Sequence, residues 1–206
     1  MTSGPSGREV VGLLVLTSAA RLSRRRPQRF WPVMTLGLTL AGLSAAPRAK
    51  TASWRWSWRW AAAALGLGAG LHMGTRAGAR LAGRIPGAAS ALGRLQGAVR
   101  SAPTPMRMVL SVPAVIGEEV FWRSGGWIAE TGPVWGSALG YAAAQLPTQN
   151  PLLVMGAIPL GLVTTWMRRR SGSLLPVVIC HLAFSEMTLA WPGLPLPSGS
   201  PRATEP

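Results

Sequence analysis

Aspartate is absent from this 206-residue chain, and acidic residues of any kind number only six. Carboxylate chemistry therefore rests on Glu9, Glu118, Glu119, Glu130, Glu186 and Glu205. Cysteine occurs once, at Cys180, which excludes an intrachain disulfide. Nothing basic and exposed beside it argues for a thiolate, so it reads as a small packed residue. Histidine occurs twice, at His72 and His181, too far apart to read as a zinc site. No metal and no other cofactor is expected. Charged residues make up 13% of the chain, against roughly 25% in a soluble domain. With 48% hydrophobic residues, that scarcity points to a polytopic membrane protein.

The charge that is present is one-sided. The net charge is +15, carried almost wholly by arginine because Lys50 is the only lysine. A nucleic-acid partner is not expected, since the arginines cluster between apolar runs rather than along one face. Such clusters read as loops held on the cytoplasmic side and attracted to anionic lipid. In RAKTASWRWSWRW, residues 48–60, Trp and Arg alternate. That pattern suits the headgroup level, where indole rings and snorkelling guanidiniums are both satisfied. A base-stacking platform is the alternative, but the apolar run that follows favours the interface. The Arg/Ala/Gly/Pro bias indicates a GC-rich bacterial genome, hence a bacterial plasma membrane.

Apolar runs punctuated by proline and glycine predict an all-α, polytopic transmembrane bundle of six to eight helices. Residues 10–20 and 30–46 form the first two, the second ended by Pro47, and residues 61–74 a short third. Residues 75–107 read either as an amphipathic surface helix broken near Pro86 or as a solvated basic linker. Four apolar helices follow, over 106–122, 134–146, 152–167 and 174–191, with breaks at 124–126, 147–151 and 168–173. The division is thus 1–105, N-terminal helices and basic loops; 106–192, a four-helix catalytic-type core; and 193–206, a Pro/Gly/Ser-rich disordered tail. RRRSGS, residues 168–173, should be cytoplasmic together with Arg123. The loop at 148–150 and the tail then lie on the other side. If 61–74 spans, the two basic blocks around it lie on opposite sides.

The acids concentrate where they are most costly. GEEVFWRSGG, residues 117–126, puts Glu118 and Glu119 side by side in an apolar segment, and charge at bilayer depth costs at least about a few kcal/mol. Glu119 and Arg123 stand four apart in the favourable order and can pair. Glu118 points about 100° away and lacks that partner. A carboxyl so placed can act as base or acid near neutral pH. His181 and Ser185 share one face of the last helix, and Tyr141 and Gln145 one face of the second core helix. A bundle can bring Glu118, Gln145 and His181 together around a water. For Gln145, Tyr141 and Ser185 the alternative is interhelical hydrogen bonding alone. Glu186 reads as a third acid on another face, Glu130 as a solvated loop residue, and His72 as a packed or interfacial histidine.

These residues resemble the CAAX-protease and bacteriocin-processing (CPBP, or Abi) intramembrane endopeptidases, whose motifs are EExxxR, FxxxH and HxxxN or HxxxD. Glu118, Glu119 and Arg123 match the first in full. His181, preceded by the Arg-Ser-Gly-Ser turn, matches the third at its histidine. Tyr141 to Gln145 replaces FxxxH, with glutamine for histidine, and Ser185 replaces the asparagine. The resemblance spans roughly residues 106–191. It implies a glutamate-activated water, with Glu118 as base, His181 and Gln145 as positioning or oxyanion groups, and Glu119 and Arg123 as an orienting pair. The implied substrate is a membrane-embedded peptide or protein. The two departures also admit a catalytically impaired scaffold or immunity protein. A weaker third reading is a transporter with Glu118 and His181 as a proton relay.

Overall fold

Prolines mark the helix starts in this chain. Pro86, Pro105 and Pro151 each stand in the first turn of a helix, where a missing N–H has no intrahelical acceptor to lose. The computed structural model describes residues 6–49, 53–124 and 133–190. Among them all regular structure is helical: α1 (Gly7–Arg25), α2 (Phe30–Ala49), α3 (Trp58–Ala82), α4 (Pro86–Val99), α5 (Thr104–Arg123), α6 (Val134–Ala143), α7 (Pro151–Ser171) and α8 (Leu175–Ala190). Single 3₁₀ turns at Pro27–Arg29 and Leu146–Thr148 join α1 to α2 and α6 to α7. Two segments, Pro27–Pro47 and Pro151–Ser171, are long and apolar enough to cross a membrane, and Leu175–Ala190 is a shorter apolar helix.

Three boundaries differ from the sequence expectation, and one stretch with two open readings takes the helical one. Pro47 does not end α2, which runs on to Ala49, because a proline in the last turn removes only one ladder bond. α3 extends from the expected 61–74 to 25 residues, as the weakly polar stretch after Gly74 keeps helical geometry. Its end at Ala82 and the start of α4 at Pro86 make 75–99 helical on both sides of a break, rather than a linker. Arg168–Arg170 are not loop residues but the last turn of α7, where cations complement the helix dipole. Gly172, in the left-handed conformation at φ 64°, closes that helix. The expected break at 124–126 lies outside the described residues beyond Ser124, as do Glu130 and the tail 193–206.

Contacts between helices fix their directions. α1 and α2 are antiparallel, with Gly12 beside Ser44 and Gly37 beside Ala19. α2 and α5 run parallel: Thr35 Oγ1 donates to the Leu110 carbonyl at 3.1 Å, and Gly42 lies on Gly117. α5 and α8 are antiparallel, joined by His181 to Glu119 and by Ser111 to Glu186. α3 runs parallel to α8, from the Leu174 N–H on the Ser53 carbonyl at 2.8 Å to His72 Nδ1 beside Thr188 Oγ1 at 3.1 Å. α6 and α7 are antiparallel, with Thr165 Oγ1 donating to Ser137 Oγ.

The bundle therefore has two ends. Arg123, residues 168–173 and the starts of α3 and α8 share one; residues 148–150, α4 and the α1–α2 turn share the other. At the second end α4 is pinned by Trp31 Nε1 on the Val99 carbonyl at 2.7 Å and by Asn150 Nδ2 on the Ala91 carbonyl at 3.0 Å. α3, about 37 Å long by helical rise, runs between the ends and separates the two basic blocks.

Two glycines let the central helices approach closely. A methyl on Gly117 would collide with the Leu38 carbonyl, and one on Gly68 would come within 2.6 Å of the Cys180 carbonyl. Gly117 precedes Glu118, and Cys180 precedes His181, so both approaches set the site helices. Gly66, by contrast, has open space around its Cβ direction. Gly117→Leu should cost about 1–3 kcal/mol through overpacking, read as a lowered thermal midpoint in detergent, while Gly66→Ala should leave that midpoint unchanged or raised. Equal midpoints for Gly117→Leu and the parent chain would refute the close contact.

Candidate active site

Two adjacent carboxyls on one helix must face different neighbours, since successive side chains diverge by about 100°. In the last turns of α5, Glu119 faces α8 and is fully buried at 0% exposure, while Glu118, at 7%, faces α6, α8 and the α1–α2 pair. Glu119 is the hub. Its Oε1 lies 2.7 Å from His181 Nδ1, and its Oε2 lies 3.6 Å from Arg123 Nε. The expected Glu119–Arg123 pair thus forms as an ion pair longer than a hydrogen bond.

Arg123, 1% exposed, is held from several sides. Its Nη2 donates to Thr164 Oγ1 at 2.7 Å, and that hydroxyl donates on to the Leu160 carbonyl at 2.8 Å. Its guanidinium carbon sits 5.2 Å from the centre of the Tyr141 ring, within cation–π range. Arg168 Nε donates to the Arg123 carbonyl at 3.0 Å, tying α7 to the end of α5. Thr164 had no distinguishing signal beyond two adjacent threonines in an apolar run.

His181, on α8, bridges the two glutamates. With Nδ1 on Glu119, its Nε2 faces Glu118 Oε2 at 3.9 Å. That separation exceeds a direct hydrogen bond. Tyr141, 3% exposed, lies beside Glu118, and its ring packs edge-on against Trp122 at 5.7 Å.

Gln145 reaches Glu118 but not in the way its spacing implied. α6 ends at Ala143, and Gln145 opens the 3₁₀ turn before Pro147, because Pro147 cannot continue the helical ladder. The backbone at Ala144 and Gln145 stays right-handed, so Gln145 still lines a cavity of about 10 Å³ with Glu118, Trp122, Leu16 and Met34. That volume holds about one water. The Gln145 side chain hydrogen-bonds to neither Glu118 nor His181 among the described residues. Glu118 therefore has Gln145 and His181 as separate neighbours rather than members of one closed cluster. Ser185 is half-buried and makes no hydrogen bond among the described residues.

Glu186 faces away from this group. Its Oε1 accepts from Ser111 Oγ, closer to the opposite end of the α5–α8 seam. His72 is a packed histidine on α3, 5% exposed, in contact with Thr188. Cys180 is fully buried. Among the described residues no group of three or more His, Cys or carboxylate side chains is arranged to hold a metal.

Removing one partner of a buried ion pair strands the other, at a cost of about 3–5 kcal/mol. Arg123→Ala should destabilise the folded protein by that amount, and Thr164→Val by about 1–3 kcal/mol through the lost hydrogen bond. Denaturant unfolding in mixed micelles measures both, and a smaller loss for Arg123→Ala than for Thr164→Val would contradict the order given.

The local sequence around these contacts also has relatives. Residues 100–187 match the family model of type II CAAX prenyl endopeptidase Rce1-like proteins. No curated protein and no solved structure matches the chain. The matched segment starts just before α5 and ends within α8, so it contains Glu118, Glu119, Arg123, Tyr141, Gln145, His181 and Ser185. Residues 100–187 are thus similar to the Rce1-like family, a family of integral membrane CAAX-type proteases.

Proposed function

We propose that the chain is a polytopic membrane endopeptidase of a bacterial plasma membrane, which hydrolyses a peptide bond in a membrane-embedded peptide or protein using a water activated by Glu118. The single observation that carries this reading is the 3.9 Å gap between Glu118 Oε2 and His181 Nε2, with His181 Nδ1 anchored on Glu119. With its Nδ1 proton on Glu119, His181 turns an unprotonated Nε2 towards that gap. A water there donates one hydrogen to Glu118 and the other to Nε2. Its lone pairs then point at an incoming carbonyl.

The chemistry follows from that arrangement. Glu118 takes a proton as the water oxygen bonds to the carbonyl carbon, and the carbonyl oxygen becomes an oxyanion. Gln145, which lines a cavity with Glu118, carries the amide NH₂ that we assign as donor to it. Glu118 then passes its proton to the leaving amine as the C–N bond breaks, and the carboxylate is restored. Glu119 acts as a positioning residue: it sets the ring of His181 and is itself held by Arg123. Tyr141 orients Glu118, and Ser185 lies near His181 in sequence without joining this group. No step calls for a metal or an organic cofactor.

A second reading is favoured by specific residues. Gln145 stands where the resembled motif has a proton-carrying histidine, and Ser185 where it has asparagine. A scaffold or immunity-type protein that keeps the fold without the chemistry fits those replacements.

Cleavage of a membrane-embedded test peptide by the purified, reconstituted chain should fall by about 10²–10⁴ in kcat for Glu118→Ala, with the thermal midpoint kept within a few degrees, and by as much for His181→Ala, whose midpoint should also drop because Glu119 loses a partner. Retained cleavage in Glu118→Ala removes the peptidase mechanism. Gln145→His should raise kcat; if neither the parent nor this variant cuts any substrate while a protein partner co-purifies with Glu118→Ala, the scaffold reading replaces the first.

A further inference from the structure

Two arginine-rich segments more than a hundred residues apart form a single surface. The Leu174 N–H donates to the Ser53 carbonyl at 2.8 Å, and Ser173 Oγ donates to the Arg55 carbonyl at 3.1 Å. The Arg55 guanidinium lies over the α7–α8 turn, with Nη2 3.7 Å from where a Cβ on Gly172 would sit. Arg55, Arg59, Arg169 and Arg170 are all exposed there, and neither 53–60 nor 168–175 contains an acid.

Exposed indoles gather at the same end. Trp54, Trp56 and Trp58 are 43%, 54% and 77% exposed. Trp135, at the start of α6, and Trp166, in the last turns of α7, are also exposed at this end. At the opposite end Trp31 is buried and bound to Val99. Large exposed aromatics are unfavourable in water and favourable at the headgroup level of a bilayer. The basic residues at the opposite end, such as Arg24, Arg25 and Arg29, have no exposed tryptophan beside them among the described residues. The two ends are therefore chemically different although both are positive.

We propose that the surface formed by Trp54–Arg59 and the α7–α8 turn is a binding site for the headgroup of an anionic phospholipid. Guanidiniums of Arg55, Arg59 and Arg170 take the phosphodiester and the indoles seat at the level of the glycerol backbone. Charge complementarity selects this occupant, because a zwitterionic headgroup brings a cation into a site without a carboxylate. The inference needs only a bilayer around the bundle and does not depend on peptide cleavage.

The test uses the full chain purified in a neutral detergent, with bound lipid counted by native mass spectrometry after adding phosphatidylglycerol or phosphatidylcholine. Phosphatidylglycerol should be retained in preference to phosphatidylcholine, and R55Q/R59Q/R170Q should weaken its retention about tenfold or more. R24Q/R25Q/R29Q, at the other end, should leave retention unchanged. W56A/W58A should weaken it as well, which covers the case in which the arginine variant fails to fold. Equal retention of the two lipids, equal loss in the two arginine variants, or full displacement by millimolar inorganic phosphate overturns the proposal. Tighter binding of a single-stranded oligonucleotide than of phosphatidylglycerol at the same residues overturns it in favour of a base-stacking platform. Because the readout is lipid binding, an inactive peptidase leaves the result interpretable.

Discussion

A carboxyl with no access to water must be met by a cation or by hydrogen-bond donors, or it becomes a large liability. Glu119 is that carboxyl here. It lies at the point where α5, α7 and α8 come together, and each of those helices commits a side chain to holding it: Arg123 from its own helix, His181 from α8, and Thr164 from α7 through Arg123. Because this chain of contacts joins three helices, holding Glu119 couples their rotations. The orientation of His181, and hence the direction in which its second nitrogen points, follows from this one requirement.

Close packing makes that meeting geometrically accessible. Gly117 brings α5 onto α2, and Gly68 brings α3 onto α8. Each glycine lies within one or two residues of the site or of its packing partner, so the small residues and the charged ones work as a unit. Energy lost in burying charge is offset by the charge-assisted bonds and by the van der Waals contact that the glycines permit. Polar pairs farther along the same seam, Ser111 with Glu186 and His72 with Thr188, keep α8 registered against α5 and α3 on the side away from Glu118.

Much of this was legible locally. Proline positions and apolar runs placed the four C-terminal helices to within a few residues, and the Arg-Ser-Gly-Ser turn fell where Gly172 takes its left-handed conformation. The spacing of Glu119 and Arg123 implied their pairing, which occurs. Less was legible where weak signals met. Pro47 reads as a stop, yet sits inside the last turn of α2. Residues 75–107 read equally as a helix broken near Pro86 or as a basic linker; the first holds, with α3 running on to Ala82 and α4 starting at Pro86. Gln145 reads as one helical turn beyond Tyr141; Pro147 ends α6 early, and the persisting right-handed backbone keeps it beside Glu118.

Composition and local pattern by themselves determined that the chain is helical, apolar, arginine-charged and built around an adjacent pair of glutamates, because helix starts, stops and faces depend on residues a few positions apart. Which glutamate meets the histidine was a matter for the tertiary structure. Spacing alone left Glu119 to Arg123 and Glu118 to His181; the fold gives Glu119 both partners and leaves Glu118 at 3.9 Å from the ring. That choice depends on the rotation of α8 about its axis relative to α5. The rotation is set by contacts between residues scores of positions apart, such as Gly68 with Cys180 and Ser53 with Leu174, and no local pattern encodes it.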